Sequence, residues 1–224
     1  GESMGDRSGF GVSLSDDGTI VAIGAYKNTN GNGWQTGHVR VYELDSNSTW
    51  TQLGADIDGE ATYDHFGQSV SLSDDGTILA IGAGQNDGTP YKQWVGHVRV
   101  YGLSNGSWLQ LGADIDGEAT LDHSGSSVSL SDAGTVVAIG APYNDGNGTI
   151  AGHVRVYYSY TPTYSNGNLG LCPGDPIQLS MPNLAGRSYL WNTGDTTNSI
   201  DIYQGGNYSV IISSAGGWVD TVHT

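Results

Sequence analysis

The 224 residues carry 7 lysines and arginines against 23 acids, a formal charge of −16 at neutral pH. That balance argues against nucleic acid or an anionic membrane surface as partner, since phosphate contacts need basic surface. No apolar run approaches the length of a membrane span, and the lone cysteine, Cys172, excludes an internal disulfide.

The chain repeats itself. Turn glycine Gly18 recurs as Gly76 and Gly134, and the run GHVRVY begins at Gly37, Gly96 and Gly152. Three copies follow, 1–58, 59–116 and 117–160, the third lacking its last quarter. The middle copy is the clearest. Val70 and Leu72 alternate with serines, as in a half-buried strand. SDDGT follows, with Asp75-Gly76 as a tight-hairpin signal. Ile78–Ala83 is apolar throughout, as in a strand covered on both faces. After a long loop Val98 and Val100 alternate with polar residues, and Trp108–Ile115 reads as a fourth strand. No stretch holds a helical period.

Four antiparallel strands per repeat predict an all-β fold of β-propeller blades, each sheet burying its faces against its neighbours. Three blades make an incomplete ring, because known rings need at least four. The N-terminal GESMGD aligns with GEATYD at Gly59, so a longer chain with a strand before residue 1 is expected. The runs FGQSVSLS, ILAIGA, GAP (Gly140–Pro142) and GHVRVY resemble the FG-GAP repeats of integrin α-subunit propellers and bacterial surface proteins. The resemblance spans residues 1–158. Two departures stand out. Ser8-Gly9 and Ser124-Gly125 replace the Phe66-Gly67 pair, and SDDGT occupies the place of the integrin calcium loop, so that loop's calcium binding is not carried over.

From Thr161 the composition changes, and TPTYSNGN reads as a linker. Strand signals then fall at Pro176–Met181, Ser188–Trp191, Ser199–Tyr203, Tyr208–Ser213 and Trp218–Val222. They predict a small β-sandwich over 161–224 with Trp191 at its centre. The run resembles Ig-like or PKD-like modules of secreted Bacteroidetes proteins, although Cys172 lacks their second cysteine.

Repetition separates scaffold from site: a residue in every copy serves the blade, whereas a site should lie where copies differ. Arg40, Arg99 and Arg155 recur with Asp6, Asp64 and Asp122, and an arginine–carboxylate pair between strands or blades is expected. His38, His97 and His153 recur without histidine or cysteine partners and are read as structural. The acids Asp56, Asp58, Glu60, Asp114, Asp116 and Glu118 offer alternating oxygen donors, the candidate ligands for calcium. No other cofactor is expected.

The copies differ most over 26–36, 84–95 and 142–151. These loops hold both lysines of the chain and several aromatics. Tyr26, Lys27, Trp34, Tyr91, Lys92, Trp94 and Tyr143 are therefore the candidate ligand-binding residues, suited to a protein partner or a sugar. Asn47, Asn105, Asn147 and Asn207 match the glycosylation sequon. No nucleophile elbow, zinc pattern or phosphate loop occurs. The expectation is a non-enzymatic secreted or cell-surface protein for adhesion or assembly. Its partners would be other proteins or further copies of its own chain. A carbohydrate-binding module is the alternative.

Overall fold

A computed structural model describes residues 1–88, 93–158, 163–164, 177–180, 187–203, 208–214 and 219–223. Tyr91, Lys92, Cys172 and Asn207 lie outside the described residues. Among those described, every regular element is a β-strand and every pairing between strands is antiparallel. The chain divides into two compact units, Gly1–Ser159 and Tyr160–Thr224.

In the first unit each repeat forms its own sheet. The first contains β1 (Gly11–Leu14), β2 (Ile20–Ala25), β3 (His38–Leu44), β4 (Trp50–Gln52) and β5 (Ile57–Asp58). The second contains β6 (Ser69–Leu72), β7 (Ile78–Ala83), β8 (His97–Ser104), β9 (Ser107–Gln110) and β10 (Ile115–Asp116). The third has β11 (Ser127–Leu130), β12 (Val136–Ala141) and β13 (His153–Tyr158). Register is kept from copy to copy: Ile23 faces Arg40, Ile81 faces Arg99 and Ile139 faces Arg155.

Two local expectations are corrected. The fourth strand over Trp108–Ile115 is two strands, β9 and β10, both paired to β8. Leu111 still donates to Val100 at 2.8 Å, but Gly112 at φ +75° turns the chain out of the ladder. Gly54 does the same in the first copy at φ +83°. The hairpin turn is also wider than Asp75-Gly76 alone suggests. Ser73 and Ile78 close it, through the Ser73 N–H to the Ile78 carbonyl at 2.9 Å. Asp75 holds it from inside, accepting from Ser73 Oγ at 2.6 Å, Thr77 N at 3.0 Å and Thr77 Oγ1 at 2.8 Å. Asp17 makes the same set in the first copy, whereas Ala133 stands there in the third.

Successive sheets pack through one face of each. Val39, Val41 and Ala22 of the first meet Phe66, Val70, Leu72, Leu79, Ile81 and Tyr101 of the second. Val98, Val100 and Ala80 of the second meet Val137 and Ile139 of the third. Leu79 and Ile81 are fully buried, each stabilising the stack by about 1.5–3 kcal/mol. Polar contacts repeat with the same period. Leu72 N donates to Ser13 Oγ at 3.0 Å and Leu130 N to Ser71 Oγ at 2.9 Å. Asp16 N donates to the Asp74 carbonyl and Asp74 N to the Asp132 carbonyl, both at 2.9 Å.

Among its described residues the second unit forms two three-stranded sheets. One orders β14 (Thr163–Tyr164), β15 (Ile177–Ser180) and β17 (Ser199–Ile202); the other orders β16 (Arg187–Trp191), β18 (Ser209–Ser214) and β19 (Val219–His223). Thr163 and Tyr164, expected in a linker, extend the first sheet through their pairing with Ser180 and Leu179. Both residue types favour extended backbone. Leu179 and Ile200 are buried, as are Tyr189, Trp191 and Val210. Trp191 satisfies its indole N–H on the Thr197 carbonyl at 2.8 Å.

Candidate functional site

The turns Ser15–Thr19, Ser73–Thr77 and Ser131–Thr135 close the first hairpin of each sheet at one end. Antiparallel pairing therefore sends the loop residues 26–36, 84–88 with 93–95, and 142–151 to the opposite end. There each loop joins the segment that enters the next repeat. Tyr63 N donates to the Trp34 carbonyl at 2.8 Å, His65 N to Gln35 at 3.3 Å and Phe66 N to Thr36 at 2.9 Å. One repeat on, Leu121, His123 and Ser124 donate to Gln93, Trp94 and Val95 at 2.9, 3.0 and 2.9 Å.

A recurring pair unread in the sequence shapes this end. Asp6, Asp64 and Asp122 are each buried and hydrogen-bonded to Asn28, Asn86 and Asn144, 22 residues on in every copy. Each also accepts from backbone of its own turn: Ser3 N at 2.8 Å, Ala61 N at 2.9 Å and Ala119 N at 3.0 Å. Burial pushes the Asp64 carboxyl up to about 6 against these hydrogen bonds.

The arginines accordingly take other partners than Asp6, Asp64 and Asp122. Arg40 binds Asp56 bidentately at 2.8 and 2.7 Å and also Glu2. Arg99 binds Asp114 at 2.8 and 2.6 Å and also Glu60. Arg155 binds Glu118. The break after β4 and β9 makes this possible, because it swings Asp56 and Asp114 back over β3 and β8. The guanidinium of Arg99 holds the Asp114 carboxyl below its usual range, as Arg40 does for Asp56. His38 and His97 lie 3.8–3.9 Å from the same carboxylates, but burial lowers both imidazoles, so they stand neutral and are not ion-pair partners.

These clusters bear on calcium. Glu2, His38 and Asp56, and likewise Glu60, His97 and Asp114, bring ligand-type atoms within 4.8 Å of one another. Calcium asks for six to eight oxygens, whereas each cluster contains an imidazole and a guanidinium that already supplies the positive charge. The donor set does not fit calcium. Of the remaining candidate ligands, Asp58 accepts from Asn30 Nδ2 at 2.9 Å. Asp116, with Glu60, Asp64, Asp87 and Asp114, borders an acidic cleft of 370 Å³.

The aromatics divide into two groups. Tyr26 packs on Phe10 at 4.7 Å and on His65 at 5.0 Å, with Lys27 Nζ 5.7 Å from its ring centre. Trp94 packs on His123 at 5.6 Å, and His123 on Tyr143 at 4.9 Å. Trp34 is exposed and contributes its carbonyl rather than its ring. His65 and His123 were not singled out in the sequence. Their only signal was recurrence in two copies, with Arg7 in the first. Between the groups lies a cleft of 310 Å³ lined by Gln35, Thr62, Tyr63, His65, Gln85, Asp87 and Trp94.

Comparison with known proteins bears on the repeat itself. Residues 55–100 match the FG-GAP repeat. Within that FG-GAP match, Phe66 is fully buried at the junction of the first two sheets. The following Gly67, at φ +83°, lies so near Gly24 that a Cβ there would overlap the Gly67 carbonyl oxygen. Gly82 stands in the same relation to Gly125 of the next copy. The repeat's two glycine-bearing runs therefore meet across each junction. Among curated proteins no sequence matches. Among solved structures, similarity is found to a periplasmic gluconolactonase from Pseudomonas aeruginosa, with 17% identity, TM-score 0.40 and coverage of 95% of this chain and 64% of that one. A TolB-type protein from Agrobacterium tumefaciens is similar at 10% identity and TM-score 0.28, covering 96% of this chain and 80% of that one. A sucrose-6-phosphate hydrolase from Lactobacillus gasseri is similar at 12% identity and TM-score 0.33, covering 92% and 52%.

Proposed function

We propose that residues 1–160 are three blades of an FG-GAP β-propeller, followed by an Ig-like or PKD-like module of the kind borne by secreted Bacteroidetes proteins. The protein is a non-enzymatic, extracellular adhesion or assembly protein that acts through protein–protein contacts. The ion-pair clusters supply their own cation, so the reading does not call on calcium. One observation carries the blade assignment and its capacity for assembly: the two outer faces of the three-sheet stack leave exposed the positions that are buried inside it. Val12 and Leu14 are 54% and 56% exposed, against 9% and 7% for Val70 and Leu72 in the next copy. At the other end Val154 is 67% exposed, against 0% for Val98. Such apolar patches mark interaction surfaces, and the two faces are complementary in kind, since the first-to-second and second-to-third junctions join the same pair. A further sheet of this type is the occupant each face suits.

The test is sedimentation of the 224-residue chain over a concentration series, with a hydrophobic dye as second readout. Head-to-tail association or dye binding is expected, and Leu14→Asp or Val154→Asp should suppress it without lowering the melting temperature. A wild-type chain that stays monomeric and binds no dye would sink the reading.

A further inference from the structure

The 310 Å³ cleft lies at the loop end of the repeats, away from the sheet faces, and the assembly reading gives it no role. It is small by the standard of ligand sites, with room for one or two sugar rings. Its lining combines an aromatic platform with side chains that hydrogen-bond to hydroxyl groups. Trp94 is 44% exposed and Tyr63 is more than half exposed. Gln35 Oε1 lies 3.1 Å from His65 Nε2, which fixes both side chains, and Asp87 Oδ1 accepts the backbone N–H of Trp94 at 3.0 Å.

The backbone sets how these side chains are presented. Gln35, Tyr63, His65 and Trp94 all hold left-handed conformations, with φ of 49°, 68°, 59° and 49°. The conformation itself belongs to the repeat, because Arg7 and His123, Gly5 and Leu121, and Ile150 adopt it at the matching positions. Glycine would meet that demand at no steric cost, as Gly5 does. The second copy instead places large ring-bearing side chains there, and Trp94 does not repay its strain by burial.

Electrostatics narrows the ligand. Among the described residues Asp87 is the one charged side chain lining the cleft, and the acidic cleft beside it shares Thr62 and Asp87 and adds Glu60, Asp64 and Asp116. Burial pushes His65 down to about 4, so its imidazole is uncharged at neutral pH. The carboxylates outnumber Lys27, the cation whose charge also reaches His65, so uronates, sialic acids and sulfated glycans are disfavoured. We propose that this cleft binds a neutral saccharide of one or two rings, stacked on the Trp94 indole, with Gln35, Gln85 and Asp87 taking its hydroxyl groups.

Isothermal titration of the 224-residue chain with neutral gluco-, manno-, galacto- and xylo-oligosaccharides, and with oligogalacturonate, tests it. One neutral series should bind saturably, with Kd below about 10 mM. Trp94→Gly, the substitution that the backbone at this position accommodates best, should weaken binding at least about tenfold without lowering the melting temperature, since stacking against an aromatic face supplies much of such affinity. Gln85→Ala, which leaves the backbone and the aromatic rings in place, should weaken it as well. Trp34→Gly, outside the cleft, should bind like wild type. Saturation by no neutral series, unchanged binding in both cleft variants, or tighter binding of oligogalacturonate would each overturn the assignment. None of these outcomes depends on whether the chain self-associates, so this inference and the assembly reading fail separately.

Discussion

The three recurring arginines, Arg40, Arg99 and Arg155, allow one interaction to be compared in three environments within a single molecule. Arg99 is 11% exposed and held by two carboxylates, one of them bidentate. Arg40 is 22% exposed with the same pair of partners, and Arg155 is 46% exposed with Glu118. Breaking a buried pair by removing one partner costs about 3–5 kcal/mol, whereas exposed pairs contribute about 0–1 kcal/mol. Scaling between those limits, Arg99→Gln should cost roughly 2–3 kcal/mol, Arg40→Gln about 1–2 and Arg155→Gln less than about 1. In a unit of this size that corresponds to a melting-temperature drop of about 5–10 °C for Arg99→Gln and under about 3 °C for Arg155→Gln. Urea unfolding followed by circular dichroism, with calorimetry beside it, gives both numbers. The pH dependence follows from the sign of the shift. Asp114 is depressed by Arg99, so the stabilisation is complete above the unfolded carboxylate pKa and is lost as pH falls through the folded one. The gap between wild type and Arg99→Gln should therefore narrow below about pH 4. Equal losses for the three variants, or the largest for Arg155→Gln, would refute the burial argument.

Two further outcomes are expected. Asp64 has a raised folded pKa of about 6, so its contribution favours folding at low pH and fades as pH rises through that value. The buried neutral imidazoles of His38, His65 and His97 act in the opposite direction, so the effect is read against Asp64→Asn: wild-type stability relative to that variant should increase from pH 7 to pH 5 in a urea titration. Ala133→Asp restores to the third turn the acceptor that Asp17 and Asp75 provide in the others, and should raise stability by about 0.5–1.5 kcal/mol.

The sequence made the repeat and most of its strands legible, because alternation at Val70–Leu72 and the apolar run Ile78–Ala83 report two different kinds of burial. It hid the split fourth strand, although Gly54 and Gly112 inside LGAD were the available sign of a break. That miss carried a second one with it. A continuous strand leaves no way for Asp114 to reach Arg99, so the sequence pattern alone pairs the arginine with Asp64, whose place is held by aspartate in all three copies. Asp64 in fact answers to Asn86, at a spacing of 22 that the other copies share. The cleft was half legible. Trp94 was singled out from a variable loop, but Tyr63, His65 and Gln35 come together only through the loop-to-entry hydrogen bonds. No residue pattern along the chain states those contacts.

The apposition of Gly24 with Gly67, and of Gly82 with Gly125, has a consequence for how such an array can vary. Where main chain touches main chain, the angle from one sheet to the next is set by atoms that every sequence possesses. Side chains around that pivot are then free to drift. Phe66 fills one junction and Ser124 the matching place in the next, yet both junctions keep one strand register, so the pitch of the array can outlast wholesale turnover of the residues packed inside it.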